Sequence, residues 1–163
     1  MTLKLYQKKR KFKKTPEPKG QSKTKWLNRF VVHKHQASHL HYDFRLELPE
    51  KINQGLIVLK SLAVPKGIPL TPVIKHLAVA VEDHPVDYLN FSGVIPKGNY
   101  GAGKVEIWDK GKFKLLESTP KSLKLELKGK KLKGIYVLAQ FTAQKKNWLV
   151  FKMKNQEIKK IKN

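Results

Sequence analysis

Residues 33–45 concentrate groups with chemical potential: His33, His35, His39 and His41, followed by Asp43 and Arg45. Four of the chain's 6 histidines fall in this one stretch. From Leu40 to Leu48 the pattern alternates strictly. Leu40, Tyr42, Phe44, Leu46 and Leu48 share one face, and His41, Asp43, Arg45 and Glu47 share the other. A period of two is that of a β-strand with one apolar and one polar face. A row of His, Asp and Arg carries the groups to hold a metal ion and an oxyanion. His35, His41 and Asp43 make a two-histidine, one-carboxylate set that leaves coordination positions open. His41 and Asp43 project side by side from the strand, and His35 has to come from the turn before it. These nitrogen and oxygen donors suit Mn²⁺, Zn²⁺ or another divalent ion. The competing reading is a local hydrogen-bonded His41–Asp43 pair. Arg45, one step further, has the planar fork to clamp a phosphate, or it pairs with Asp43 or Glu47.

A second cluster follows an apolar run, in Glu82-Asp83-His84-Pro85 and Asp87-Tyr88. Here a histidine is expected on a rigid turn at a strand end, where it could donate a proton or a hydrogen bond to a phosphoryl oxygen. Tyr88 could donate the hydrogen bond. A capped turn with a structural histidine is the alternative. The glycine-rich stretch Gly93–Gly103 lacks the spacing of a dinucleotide or P-loop cradle and reads as a turn of close backbone approach. Lys66, in Val64-Pro65-Lys66-Gly67, is a further candidate phosphate contact.

The elements that must position these groups are short. Runs at 54–64, 76–81, 103–108, 112–116, 122–127, 134–138 and 148–153 are apolar or alternating, with Gly and Pro between them. This pattern indicates a mainly β chain, a compact single-domain barrel or sandwich with few short helices. Residues 1–29 read as a basic N-terminal arm, partly disordered, with 1–9 expected as a disordered tail. Residues 30–153 read as the β domain and 154–163 as a polar tail that frays. The chain has 163 residues, no Cys and a formal net charge of +23, with all but three of its 35 basic residues being lysine. Disulfides and thiolate chemistry are excluded. A diffuse positive coat of this size favours polyanions, nucleic acid first. A lysine-rich proteome is the bland alternative. No apolar run is long enough to span a bilayer and no secretory leader is evident, so a cytoplasmic location is the default.

Taken together, several segments resemble the 3′-phosphoesterase domain of bacterial end-joining DNA ligases and its stand-alone relatives. They are Phe30–His35 running into Leu40–Glu47, Leu62–Gly67, Leu77–Val79 with Val81–Pro85 and Asp87-Tyr88, Gly93–Pro96 with Tyr100–Gly103, and Asn147–Lys152. The match runs collinearly over roughly residues 8–153.

The resemblance implies a β-barrel with a polar interior site, into which the His41–Glu47 face looks. It implies a Mn²⁺-dependent enzyme acting on DNA or DNA/RNA 3′ ends at breaks, removing a terminal 3′ ribonucleoside and then the 3′-phosphate to leave a 3′-OH. By the matched motifs His35, His41 and Asp43 fall on the metal ligands. Arg45 and His84 fall on phosphate-contacting residues, and Tyr88 on their companion tyrosine. Arg10 and Glu17 match positions that handle the terminal ribonucleoside. Three departures stand out. Lys11 replaces a usual aspartate, which bears on the ribonucleoside step. His33 replaces a usual glutamine and His76 a usual arginine, both candidate contacts either to the substrate or to the groups behind the ligands. A ligase and a polymerase would act in trans, and the like-charged surface favours a monomer. Two rivals stay open: a non-catalytic basic nucleic-acid-binding barrel, and a hydrolase of small organic phosphates on the same scaffold.

Overall fold

The computed structural model describes residues 3–21, 23–51 and 55–154. Nine antiparallel strands form one sheet: β1 (Arg29–Gln36), β2 (Leu40–Pro49), β3 (Ile57–Val64), β4 (Lys75–His84), β5 (Gly93–Ile95), β6 (Gly103–Thr119), β7 (Ser122–Gly129), β8 (Lys133–Gln140) and β9 (Asn147–Lys152). The order is β1-β2-β3-β4-β9-β8-β7-β6-β5, and β1 also pairs with β6. That extra pairing closes eight strands into a barrel and leaves β5 as a short flange beside the start of β6. The long β6 does both jobs, pairing with β1 through Lys104–Lys112 and with β7 through Gly111–Thr119. The expected mainly β barrel is therefore present. The two runs read at 103–108 and 112–116 are one continuous strand.

The inward face of every barrel strand is apolar. Val32, Phe44, Leu62, Ala78, Phe113, Leu125, Tyr136 and Val150 belong to one buried cluster. Paired residues such as Val32 and Phe44, or Phe44 and Leu62, stand on the same face by register. An eight-stranded barrel has a lumen just wide enough for its own side chains, and these residues fill it. The expectation of a polar interior site is thus corrected. The His41–Glu47 row points away from the barrel axis, because the opposite, apolar face of β2 takes the lumen.

The outward face of β1–β4 is instead covered by chain from outside the barrel. A short α-helix, α1 (Leu3–Lys8), and a 3₁₀ turn at Val86–Asn90 pack there around Tyr6, Val31, Leu59, Tyr88, Leu89 and Phe91. The arm therefore departs from the expected disordered tail over residues 3–9. Tyr6 is fully buried and its hydroxyl donates to the Pro18 carbonyl. Such a short basic helix cannot hold itself in water and is stabilised by this docking. Trp26, Leu27 and Arg29 are stapled to the barrel by buried Glu47, whose carboxylate accepts from the Leu27 N–H and the Arg29 guanidinium. Glu47 ends the polar row as a structural anchor. Of the expected polar tail, residues 155–163 lie outside the described residues.

Candidate metal and phosphate site

Strand pairing assembles the site. His35 lies on β1 directly opposite His41 on β2, so it comes from a neighbouring strand rather than from the turn. Further along, Asp43 faces His33 on one side and Ala63 on the other, and Arg45 faces Val31 and Ser61. His84 also belongs to a strand, the last residue of β4, where a turn was expected. A register shift between Leu59 and Ser61 pairs them with His84 and Val81. That places three residue steps of β4 against two of β3. The extra residue of such a bulge flips the alternation and puts both Val81 and His84 on the outer face with Ser61.

Each histidine's second nitrogen is held by a carbonyl, and a carbonyl can only accept. His35 Nε2–H donates to the Gly101 carbonyl at 2.7 Å, and His41 Nδ1–H donates to the His39 carbonyl at 3.1 Å. The lone pairs of His35 Nδ1 and His41 Nε2 are then turned toward Asp43, each 3.3 Å from a carboxylate oxygen. The three donor atoms lie within 4.8 Å of one another. Lone pairs facing a carboxylate repel unless a cation sits among them, so this trio fits a metal ion. Without a metal, a proton on an imidazole nitrogen meets the same demand as a hydrogen bond to Asp43, and the titration of the trio reflects it. The Asp43 hydrogen bond holds the His41 pKa above its ordinary value despite burial. Burial alone would raise Asp43, but the Arg45 charge and the two histidine bonds outweigh it and hold the carboxylate well below its usual range. Gly101 has φ +75°, and a Cβ there would stand 3.5 Å from His35 Cε1, beside the carbonyl that His35 bonds. This is the close backbone approach that the glycine-rich stretch suggested.

Arg45 is almost fully buried and aimed by four contacts. It donates from one terminal nitrogen to Asp43 at 3.3 Å, from the other to Ser61 Oγ at 2.9 Å, and from Nε to His33 Nδ1 at 3.2 Å. Its plane lies over the Tyr88 ring, 4.8 Å from the centroid. His33 accepts from Arg45 through Nδ1 and donates through Nε2–H to the Phe91 carbonyl at 3.0 Å. Burial and the Arg45 charge push its pKa down to about 3. His33 thus stands behind Arg45 as a neutral prop and does not line the cavity.

His84 Nδ1–H donates to the Glu82 carbonyl at 2.9 Å, which leaves Nε2 as an acceptor facing Arg10 at 3.4 Å. Burial, then the charges of Arg45 and Arg10, hold its pKa well below the ordinary histidine value. It is a neutral imidazole with a lone pair in the cavity. Tyr88 spends its hydroxyl on Glu17 at 2.8 Å, and its ring packs against His84. Glu17, fully buried, also accepts from Thr15 and from Arg10 Nε. Glu17 therefore touches no open space. It fixes Arg10, whose guanidinium also pairs with Glu82 at 3.0 Å and lies over Tyr6.

The cavity, about 230 Å³, is lined by Arg10, His35, His41, Asp43, Arg45 and His84, with Glu82, Tyr88 and Tyr100 among the others. Seven residues named from the sequence thus meet in one space. Lys66 and His76 do not line it. Lys66 is exposed on the β3–β4 turn, and His76 donates to the Gly67 carbonyl at 2.6 Å, bracing that turn. Sequence reasoning missed Ser61, Tyr6, Glu82 and Tyr100 as participants. A lone small hydroxyl within the apolar run Leu59–Val64 was the one available signal, for Ser61.

A family model described as the DNA ligase D 3′-phosphoesterase domain matches residues 33–140. The multifunctional non-homologous end joining protein LigD of Pseudomonas aeruginosa is 44% identical over 96% of this chain, which covers 19% of that protein. Its namesake in Mycolicibacterium smegmatis is 42% identical over 95% of this chain, and the one in Mycobacterium tuberculosis 39% over 98%, each with 21% of the relative covered. The chain spans about a fifth of the length of these relatives. With the family model and the relatives in agreement along a barrel whose outer face holds the His–His–Asp trio, the chain belongs to the DNA ligase D 3′-phosphoesterase domain family.

Proposed function

We propose that the chain is a Mn²⁺-dependent phosphoesterase that heals DNA 3′ ends, removing a 3′-phosphate, and a 3′-terminal ribonucleoside where present, to leave a 3′-OH. The observation that carries this reading is the convergence of His35 Nδ1, His41 Nε2 and an Asp43 oxygen beside the buried, fully aimed Arg45. His35, His41 and Asp43 would hold the metal. The donor set, two imidazoles and a carboxylate, suits Mn²⁺ among the N/O-preferring divalent ions. When bound, the ion supplies Lewis-acid stabilisation of charge on a phosphoryl oxygen.

The chain's own groups supply the rest. Arg45 presents a planar cation whose orientation is set before substrate arrives, so little reorganisation is needed as charge develops on phosphorus. His84 Nε2, unprotonated in the free enzyme, is placed to take a proton from an attacking water. Arg10 supplies a second cation at the opposite wall, kept in place by Glu17 and Glu82. For a ribonucleoside end, the same wall is where the sugar would meet the arm. DNA ends at breaks are the proposed substrate.

The test is a labelled primer–template with a 3′-phosphate, incubated with manganese or with chelator. The expected result is conversion to a 3′-OH primer only with metal, and a loss on the order of 10²-fold or more in His41→Ala. Salt-sensitive binding with no product under any metal would instead identify a non-catalytic binding barrel.

A further inference from the structure

A second cavity, larger than that of the site, lies behind it at one open end of the barrel. It measures about 490 Å³ and is walled by Leu48, Leu62, Ala80, Leu123, Leu138 and Trp148. These are inward-facing residues by register: Leu62 stands opposite Ala80, Leu123 opposite Leu138, and Trp148 opposite Ala78. Elsewhere the same face is packed solid. Here the large aromatic ring and the small Ala80 leave a recess of ligand size. The Trp148 indole N–H is already bonded to the Lys145 carbonyl at 3.0 Å, so the ring offers only apolar area to the recess.

The rim is charged. Lys145 and Lys146 sit on the exposed β8–β9 connection, and Lys60 reaches in from β3. The single acid there, Asp83, is paired with Lys60 at 2.9 Å. Three cations against one acid leave the rim positive. A planar apolar body on the tryptophan with an anion at the lysines describes a nucleotide: bases stack on aromatic rings whatever their identity, and lysines take the phosphate.

We propose that this barrel mouth is a second, non-catalytic site that takes one nucleotide, its base against Trp148 and its phosphate at Lys145 and Lys146. The choice of nucleotide over another flat anion rests on the reading of the chain as a polynucleotide enzyme. The recess is separated from the metal and phosphate site by the β3–β4 layer, with Val81 facing both. Occupancy therefore needs neither metal nor a 3′-phosphate.

Photo-crosslinking in chelator tests it, with 5-iodo-dUMP in one arm and a short single strand carrying one iodouracil and a 3′-OH in the other. Adducts are mapped by mass spectrometry. An adduct at Trp148 is expected, weakened on the order of tenfold, the worth of one stacking contact, by Ala80→Leu, which fills the recess without changing charge. An adduct in both arms makes the single nucleotide sufficient, and one confined to the oligomer makes the strand its source. No adduct at Trp148 in either arm, or one indifferent to Ala80→Leu in a variant that melts as the wild type does, overturns the proposal. Phosphate release by Ala80→Leu from a 3′-phosphate primer with manganese is read alongside. It should equal the wild type, so failure of the mouth site and failure of the enzymatic reading give different results.

Discussion

At the scale of single residues, the site works by fixing protonation states through carbonyls. Four histidines (33, 35, 41 and 84) each give one N–H to a backbone oxygen. The remaining nitrogen of each is thereby committed: two toward the metal locus, one to Arg45, one to the cavity. The arrangement predicts a pH dependence of stability. The unfolded chain protonates His84 near pH 6.5, whereas the folded chain keeps it neutral to far lower pH, because burial and the neighbouring arginines oppose a further charge. Below pH 6.5 the unfolded state binds the extra proton. Its contribution is therefore fully present above pH 6.5 and is lost as pH falls toward the folded value, at about 1.4 kcal/mol per pH unit. Urea denaturation of metal-free protein between pH 7 and 5 should show His84→Gln losing stability with acidification less steeply than wild type, by about that slope. Parallel slopes would mean that His84 is protonated in the folded enzyme and cannot be the resting proton acceptor. The strand of His41, Asp43 and Arg45 was legible because their types and period of two are both in the sequence. For His33 two choices stayed open, the substrate or the groups behind the ligands, and its bond to Arg45 favours the second.

At the scale of elements, the site is a sandwich of barrel wall and arm. The alternation of β2 told which residues share a face, but not which face is the inside, because a period of two is blind to that choice. The answer came from the whole set of strands: each has an apolar face, and only one can line a lumen of this width. The arm was read as a tail because it is basic and broken by Pro16, Pro18 and Gly20, and only tertiary contacts reveal that Tyr6 and Arg10 are anchors. Its role is separable. Residues 3–19 contribute no strand to the barrel, yet they bring Arg10 to the cavity wall with Glu17 behind it and cover His84 with Tyr6. Deleting them should leave the far-ultraviolet β signature intact while turnover of a 3′-phosphate primer falls at least tenfold, as expected when one preorganised charge is lost. A truncated chain that kept full activity would reduce the arm to a cover. Glu17→Gln should fall between the two, since Arg10 would keep its bond to Glu82.

At the scale of the whole molecule, a charge of +23 has to be spent somewhere, and its distribution determines how a duplex can lie. Under the proposed function, Arg10 and Arg45, buried and paired, would hold a strand end rather than a length of backbone. Outside the cavity, a groove of about 320 Å³ is lined by Arg29, Lys110, Lys112 and Lys130, with Leu89 and Asn90 from the 3₁₀ turn that covers the site. Arg29 is held by Glu47, which leaves three lysines on β6 and the β7–β8 turn facing outward along one edge. Phosphate contacts of this kind position a duplex without reading it, and each contributes roughly 0.9 to the slope of log affinity against log salt. Reversing Lys110, Lys112 and Lys130 to Glu should therefore raise KM for a primer–template and flatten its salt slope by roughly 3. The kcat at saturating substrate should stay near wild type, and so should hydrolysis of a 3′-mononucleotide too short to reach the groove. If KM and slope are both unchanged, the duplex crosses another face. If kcat falls as well, the groove couples to the chemistry through the 3₁₀ turn and Tyr88, and the division between gripping the end and tracking the backbone does not hold.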